Sequence, residues 1–203
     1  MNSAKNILYL GPERESIREC LELRGDQVVQ TEEDLRVHPE LLPSVDLIVS
    51  YGYRHIIRPE VVRRFERRII NLHISMLPWN RGADPNVWSF LEDTPKGVSI
   101  HYIDPGIDTG DLLCQMKVPL QTSDTLRSSY EKLSSSIESL FVSHWSAMRN
   151  GEIESRPQID GGSYHRKKDL DPYRHLLTNG WDTPVSALIG QALRDEGKIA
   201  HAV

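Results

Sequence analysis

Asn71 and His73 stand two residues apart in Ile70-Asn71-Leu72-His73-Ile74-Ser75-Met76-Leu77-Pro78, and Asp108 follows 35 residues after His73 in Ile107-Asp108-Thr109-Gly110. A carboxamide can donate to a developing oxyanion, an imidazole can donate to it or relay a proton, and a carboxylate can orient the imidazole and accept a proton. Together these groups suit acyl transfer to an amine, where negative charge grows on oxygen and positive charge on nitrogen. Removing one donor to such an oxygen typically costs about 100-fold to 1000-fold in rate. No residue of the trio needs to become acylated. Taken singly, each has a plain structural use: a hydrogen-bonded histidine, a turn-forming asparagine, the cap of an Asp-Thr-Gly turn. Only their convergence makes a site.

A spacing of two on an extended strand points Asn71 and His73 to one face and Leu72 to the other. A strand over Arg68 to Ile74 delivers them at its carboxyl end, where open parallel sheets bind ligands. Around it, apolar runs bounded by turn residues alternate with helical periodicity, which predicts an α/β fold: a Rossmann-like, mostly parallel twisted sheet with helices on both faces. Strands are expected over Asn6–Leu10, Val28–Gln30, Val45–Ser50, Gly97–Ile103 and Leu112–Val118, the last stopped by Pro119. Helices are expected over Glu13–Arg24 and Pro59–Glu66, with proline in the first turn of the latter. A short helix over Ala83–Leu91 would turn Val87, Trp88 and Leu91 inward. From Ser123 to Arg149, Leu126, Tyr130, Leu133, Ile137, Leu140, Phe141 and Met148 recur at helical spacing, and Asn150-Gly151 ends that helix. A polar loop over Gln158 to His165 and a last helix near Pro184 to Arg194 complete the chain. Residues 1–150 are expected to form the catalytic domain and 151–203 a short C-terminal extension packed on it.

At 203 residues the chain can build one substantial core. A net charge of −5 gives no general reason to expect a nucleic-acid partner. The arginines at 63, 64, 67 and 68 read as the exposed face of a helix. Cys20 and Cys114 are far apart and without ligand spacing, so neither a disulfide framework nor a metal site is expected. The first residues lack a long apolar stretch, which points to a cytoplasmic protein without membrane contact.

These motifs resemble the formyltransferases that use 10-formyltetrahydrofolate, the family of the glycinamide ribonucleotide, methionyl-tRNA and amino-sugar enzymes. The specific likeness runs over roughly residues 45 to 120, and it implies the formyltransferase fold. It also implies catalytic roles for Asn71, His73 and Asp108 and a supporting role for His101. Tyr53, Arg54, His55, Ile56 and Ile57 resemble the family's loop that holds the pterin ring, with Pro105, Gly106 and Ile107 contacting the same ring. For Tyr53 and Ile56, core packing is the alternative.

Three departures narrow the acceptor. His73-Ile74-Ser75 replaces the family's His-Pro-Ser, which leaves the backbone after the histidine less constrained. No counterpart of the barrel-like domain of the tRNA enzyme is expected, so a tRNA acceptor is not. Gly11-Pro12-Glu13-Arg14 is not a glycine-rich phosphate loop. A small amine remains. Trp79, Asn80, Arg81, Gly82, Asp84 and Asn86 suit a sugar, with aromatic faces for a pyranose ring and polar groups for its hydroxyls; Trp88 and Phe90 read better as inward packing. The expected function is thus formyl transfer to an amino-deoxy sugar or nucleotide-linked amino sugar of a surface-polysaccharide pathway. The alternatives are 10-formyltetrahydrofolate hydrolysis, transfer to another small amine such as a ribotide, or folate binding without turnover. A homodimer is compatible with the apolar residues of the C-terminal segment.

Overall fold

The structure, a computed structural model, describes residues 3–194. Six strands form one sheet in the order β2-β1-β3-β4-β6-β7. They are β1 (Asn6–Leu10), β2 (Gln27–Thr31), β3 (Leu47–Tyr51), β4 (Ile69–His73), β6 (Gly97–Tyr102) and β7 (Leu112–Lys117). The pairs β1 with β2, β1 with β3 and β3 with β4 are parallel. Between parallel neighbours run α1 (Glu15–Glu22) and α2 (Pro59–Arg64). Ile17, Cys20 and Leu21 are the buried stripe of α1, the spacing a helix needs to cover a sheet. All five residues of β3 are buried, as expected of an inner parallel strand.

One strand departs from the parallel pattern. β6 runs antiparallel to β4, with Asn71 opposite His101 and His73 opposite Ser99. An apolar run carries no mark of its direction, so this pairing is settled by the path of the chain between residues 73 and 97.

Contacts divide the described chain into two compact units. The first takes residues up to His73, Ser99–Cys114 and Ile137–Gln158. Its core joins Leu8, Leu10, Leu35, Leu42, Ile48, Val62, Phe65 and Ile69. A buried ion pair adds to it: Arg149 Nε and Nη2 donate to Asp26 at 2.6 and 2.5 Å. The Lys5 backbone N–H donates to the same carboxylate at 2.8 Å.

The second unit takes Ile74–Val98, Gln115–Ser136 and the described residues from Ile159 on. It holds β5 (Arg81–Gly82), paired in parallel with β8 (Tyr164–His165), and α3 (Pro85–Leu91). Trp88, Phe90 and Leu91 pack with Leu126, Leu170, Val185 and Leu188. Trp88 also stacks on His165 with ring centroids 3.6 Å apart. The packing reading of Trp88 and Phe90 is the one observed.

The long helix α4 spans Leu126–Asn150. It starts later than the periodicity predicts because Asp124 is used as a turn, accepting from the Gln121 N–H at 2.8 Å and from Lys132 Nζ at 2.7 Å. The helix expected over Pro184 to Arg194 is instead a 3-10 turn at Val185–Ala187, with helical residues again from 191 to 194. Hydrogen bonds from Leu126 N to Thr183 O and from Val185 N to Asp124 O hold the strip before it extended. Among the described residues, no helix is long and apolar enough to cross a membrane.

Candidate active site

The carboxyl end of β4 and the loop after β6, both in the first unit, bring the sequence-predicted trio together. The antiparallel register sets Asn71 directly across from His101, which places the two side chains as cross-strand neighbours. His101 is buried, and its Nδ1 lies 2.7 Å from the Tyr102 carbonyl. A carbonyl only accepts, so Nδ1 carries the proton. The lone pair on Nε2 then accepts from Asn71 Nδ2 at 3.1 Å. Asn71 Nδ2 also donates to Asp108 Oδ1 at 3.3 Å. Two acceptors on that side require the nitrogen of the Asn71 amide there, not its oxygen.

His73 is 7% exposed, and its Nδ1 lies 3.6 Å from Asp108 Oδ2. That is ion-pair range, longer than a direct hydrogen bond. His101 Nε2 lies 3.5 Å from Asp108 Oδ1. One carboxylate therefore faces an amide and two imidazoles, with its own side chain 15% exposed. The arrangement offers N–H donors beside a base that is still reachable from outside.

Asp108 adopts a left-handed backbone, φ 52°, a conformation that Asp tolerates better than most residues. The turn before it is fixed by Asp104, whose Oδ1 accepts from Gly106 N at 3.1 Å and from the Thr109 hydroxyl at 2.6 Å. Gly110 has no room for a side chain: a Cβ there would meet the Tyr102 carbonyl oxygen at 1.9 Å. Gln158 Nε2 donates to the carbonyls of Asp108 and Gly110 at 2.8 and 2.9 Å. Sequence reasoning saw Gln158 only as part of a polar loop, because a contact across 50 residues leaves no local signal.

The expected cofactor residues divide. Tyr53 uses its hydroxyl internally, accepting from Leu35 N at 3.1 Å and donating to Glu33 O at 2.8 Å. Ile57 packs against the core of the first unit. His55 Nδ1 sits 3.5 Å from Asp34. Arg54 and Ile56 are exposed, Ile56 at 73%, which sets aside core packing for that isoleucine. Pro105, Gly106 and Ile107 are exposed as well. A cavity of about 380 Å³ lies against the same loop, lined by Val62, Tyr102, Ile103, Asp104, Pro105, Thr109 and Gly110 among others.

The expected acceptor residues lie in the second unit, and two of them are corrected. Asn80 is fully buried: its Oδ1 accepts from the Thr94 hydroxyl at 2.7 Å and its Nδ2 reaches Glu92 at 3.3 Å. Asn86 is buried too, donating to Leu126 O and accepting from Ser129, both at 3.0 Å. Both amides tie their own unit together instead of facing a ligand. Trp79, Arg81 and Gly82 are half-buried and Asp84 is exposed. Among the described residues, no group of three or more His, Cys, Asp or Glu could hold a metal ion.

A family model described as formyl transferase matches residues 31–144. A dTDP-4-amino-4,6-dideoxyglucose formyltransferase of Mycobacterium tuberculosis is 28% identical over 140 residues, which are 69% of this chain and 59% of that protein. A methionyl-tRNA formyltransferase of Bordetella petrii is 33% identical over 147 residues, 71% of this chain and 44% of that protein. The chain thus spans only about half the length of these curated relatives. Among solved structures, the formyltransferase PseJ from Anoxybacillus kamchatkensis superposes with a TM-score of 0.90 at 56% identity, covering 92% of this chain and 99% of that one. That structure is a complex with UDP-4,6-dideoxy-4-formamido-L-AltNAc and tetrahydrofolate.

Proposed function

As the chain belongs to the formyl transferase family, we propose that it is an N-formyltransferase acting from 10-formyltetrahydrofolate on the amine of a nucleotide-linked amino-deoxy sugar. The observation that carries the proposal is the meeting of Asn71, His73 and Asp108 around one carboxylate. The acceptor class rests on the likeness to PseJ, whose bound sugar nucleotide carries a formamido group at carbon 4. Taking the formyl group off that molecule leaves a UDP-linked 4-amino-4,6-dideoxy sugar.

The residues present fit the folate. Exposed apolar side chains at Ile56 and Ile107 suit the faces of a flat heteroaromatic ring, with backbone carbonyls of Pro105 to Ile107 to meet its polar edge. When bound, 10-formyltetrahydrofolate supplies a formyl carbon that an amine can displace from nitrogen. Asn71 Nδ2 and His73 donate to the oxygen on which charge gathers, and Asp108 takes the proton that the amine sheds. As Asp108 gains a proton, its hold on Asn71 Nδ2 weakens, which frees that N–H when the oxygen needs it. His101 keeps the amide nitrogen turned the right way throughout. A small acceptor, not a nucleic acid, agrees with the net charge of −5.

Incubation with 10-formyltetrahydrofolate and a panel of amino sugars and nucleotide-linked amino sugars, read by mass spectrometry, tests this. The expected result is one formyl group gained by a UDP-linked 4-amino-4,6-dideoxy sugar, with tetrahydrofolate released only when the amine is present. Equal release without amine would make the protein a hydrolase, and formylation of no sugar in the panel would sink the acceptor class. Within the same assay, His101→Ala is expected to lower kcat by about 10-fold to 100-fold, because Asn71 loses the partner that orients it. Unchanged kcat in a folded His101→Ala protein would remove that role.

A further inference from the structure

Gln158 makes two hydrogen bonds from one amide nitrogen, to the carbonyls on either side of Thr109. Those carbonyls belong to a segment that cannot serve them itself, since Asp108 sits in a left-handed conformation outside strand or helix. The residues before Gln158 are tied to the same stretch. Arg156 and Leu112 exchange backbone hydrogen bonds at 2.7 and 2.9 Å. The Ser155 hydroxyl donates to Asp111 Oδ2 at 3.2 Å and accepts from Arg67 Nη2 at 2.9 Å. Residues 155 to 158 therefore lie as a strap along Asp108 to Leu112, and Gln158 is the member that reaches the loop's apex. Gly110 leaves that apex no slack against the Tyr102 carbonyl.

We propose that Gln158 is a positioning residue for formyl transfer: its two donated hydrogen bonds hold the Asp108 backbone so that the carboxylate stays aimed at Asn71 and His73. The inference rests on the proposed function of the same site. Asp108 meets Asn71 and His73 at 3.3 and 3.6 Å, distances at the margin of hydrogen bonding. A loop released by a fraction of an ångström loses them, and small misplacements of reacting groups are amplified in rate.

The test compares Gln158→Met, which keeps the length and apolar stem but has no donor, with Gln158→Ala and with Ser155→Ala. Ser155→Ala cuts the strap's link to Asp111 and leaves Gln158 in place. Both Gln158 variants are expected to lose about 10-fold to 100-fold in kcat, with KM for folate and acceptor within about twofold of wild type because Gln158 is proposed to touch neither. Ser155→Ala should keep kcat within about twofold. Amide hydrogen exchange at residues 106–110 should quicken in Gln158→Met while β1 and β3 keep their protection, a readout independent of turnover. Wild-type kcat in Gln158→Met, a loss confined to KM, an equal loss in Ser155→Ala, or unchanged exchange in the loop would each overturn the assignment. If Asn71→Ala, His73→Ala and Asp108→Ala all retain activity, the formyl-transfer reading itself fails. If those three are inactive and Gln158→Met is fully active, only the role of Gln158 fails.

Discussion

Asp108→Asn is expected to lower kcat by at least about 100-fold in a protein that still folds, as are His73→Ala and Asn71→Ala. The asparagine variant is the most telling of the three. It preserves the shape of the side chain and removes the carboxylate proposed to take the amine's proton. The new amide can keep its oxygen toward Asn71 Nδ2 at the 3.3 Å contact, with its nitrogen toward His73 Nδ1, where the ion pair at 3.6 Å is lost. His73→Ala and Asn71→Ala act on the other side of the reaction, by removing donors to the oxygen that gains charge. Steady-state kinetics with thermal melts for each variant check the prediction. Near-normal turnover in any two of them would refute the assignment of the trio.

The second large effect concerns stability. Arg149→Met is expected to cost about 3–5 kcal/mol, because it strands the Asp26 carboxylate without its buried partner. Folded domains have only about 5–15 kcal/mol in total, so the variant should be close to unfolding. The two side chains are 1% and 0% exposed. Burial alone would raise the pKa of Asp26, but the hydrogen bonds from Arg149 and the Lys5 N–H outweigh it and hold the carboxyl below its usual value. The sign follows from linkage: a lowered folded-state pKa contributes stability that is fully present above the unfolded value of about 3.9 and is lost as pH falls through the folded one. Urea melts at about pH 7 and about pH 3 should show wild type losing this contribution at the acid end. The double variant Asp26→Asn, Arg149→Met, with no charge to strand, should lose less than Arg149→Met alone. Equal losses would show that the charge itself is not what costs.

Much of this was legible because local pattern encodes it. Asn6–Leu10 forms a strand with the bounds its apolar run predicts, and the spacing of Asn71 and His73 is the spacing that shares a strand face. Partners distant in sequence were not legible. Asn80 and Asn86 read as ligand-facing because polar residues among aromatics look like a binding strip. Their hydrogen-bond partners, Thr94, Glu92, Leu126 and Ser129, arrive only once the chain has folded. The same holds for Gln158 with Asp108 and for Arg149 with Asp26, 50 and 123 residues apart. The direction of β6 belongs to this class as well, and with it the pairing that makes His101 a partner of Asn71.

A crystal structure with tetrahydrofolate and the UDP-linked amino sugar bound together measures the central claim most directly. The amine nitrogen should lie within about 3 Å of the Asp108 carboxylate, with N10 of the folate beside Asn71 and His73. Both ligands seated elsewhere, with Asp108 facing protein groups alone, would contradict it.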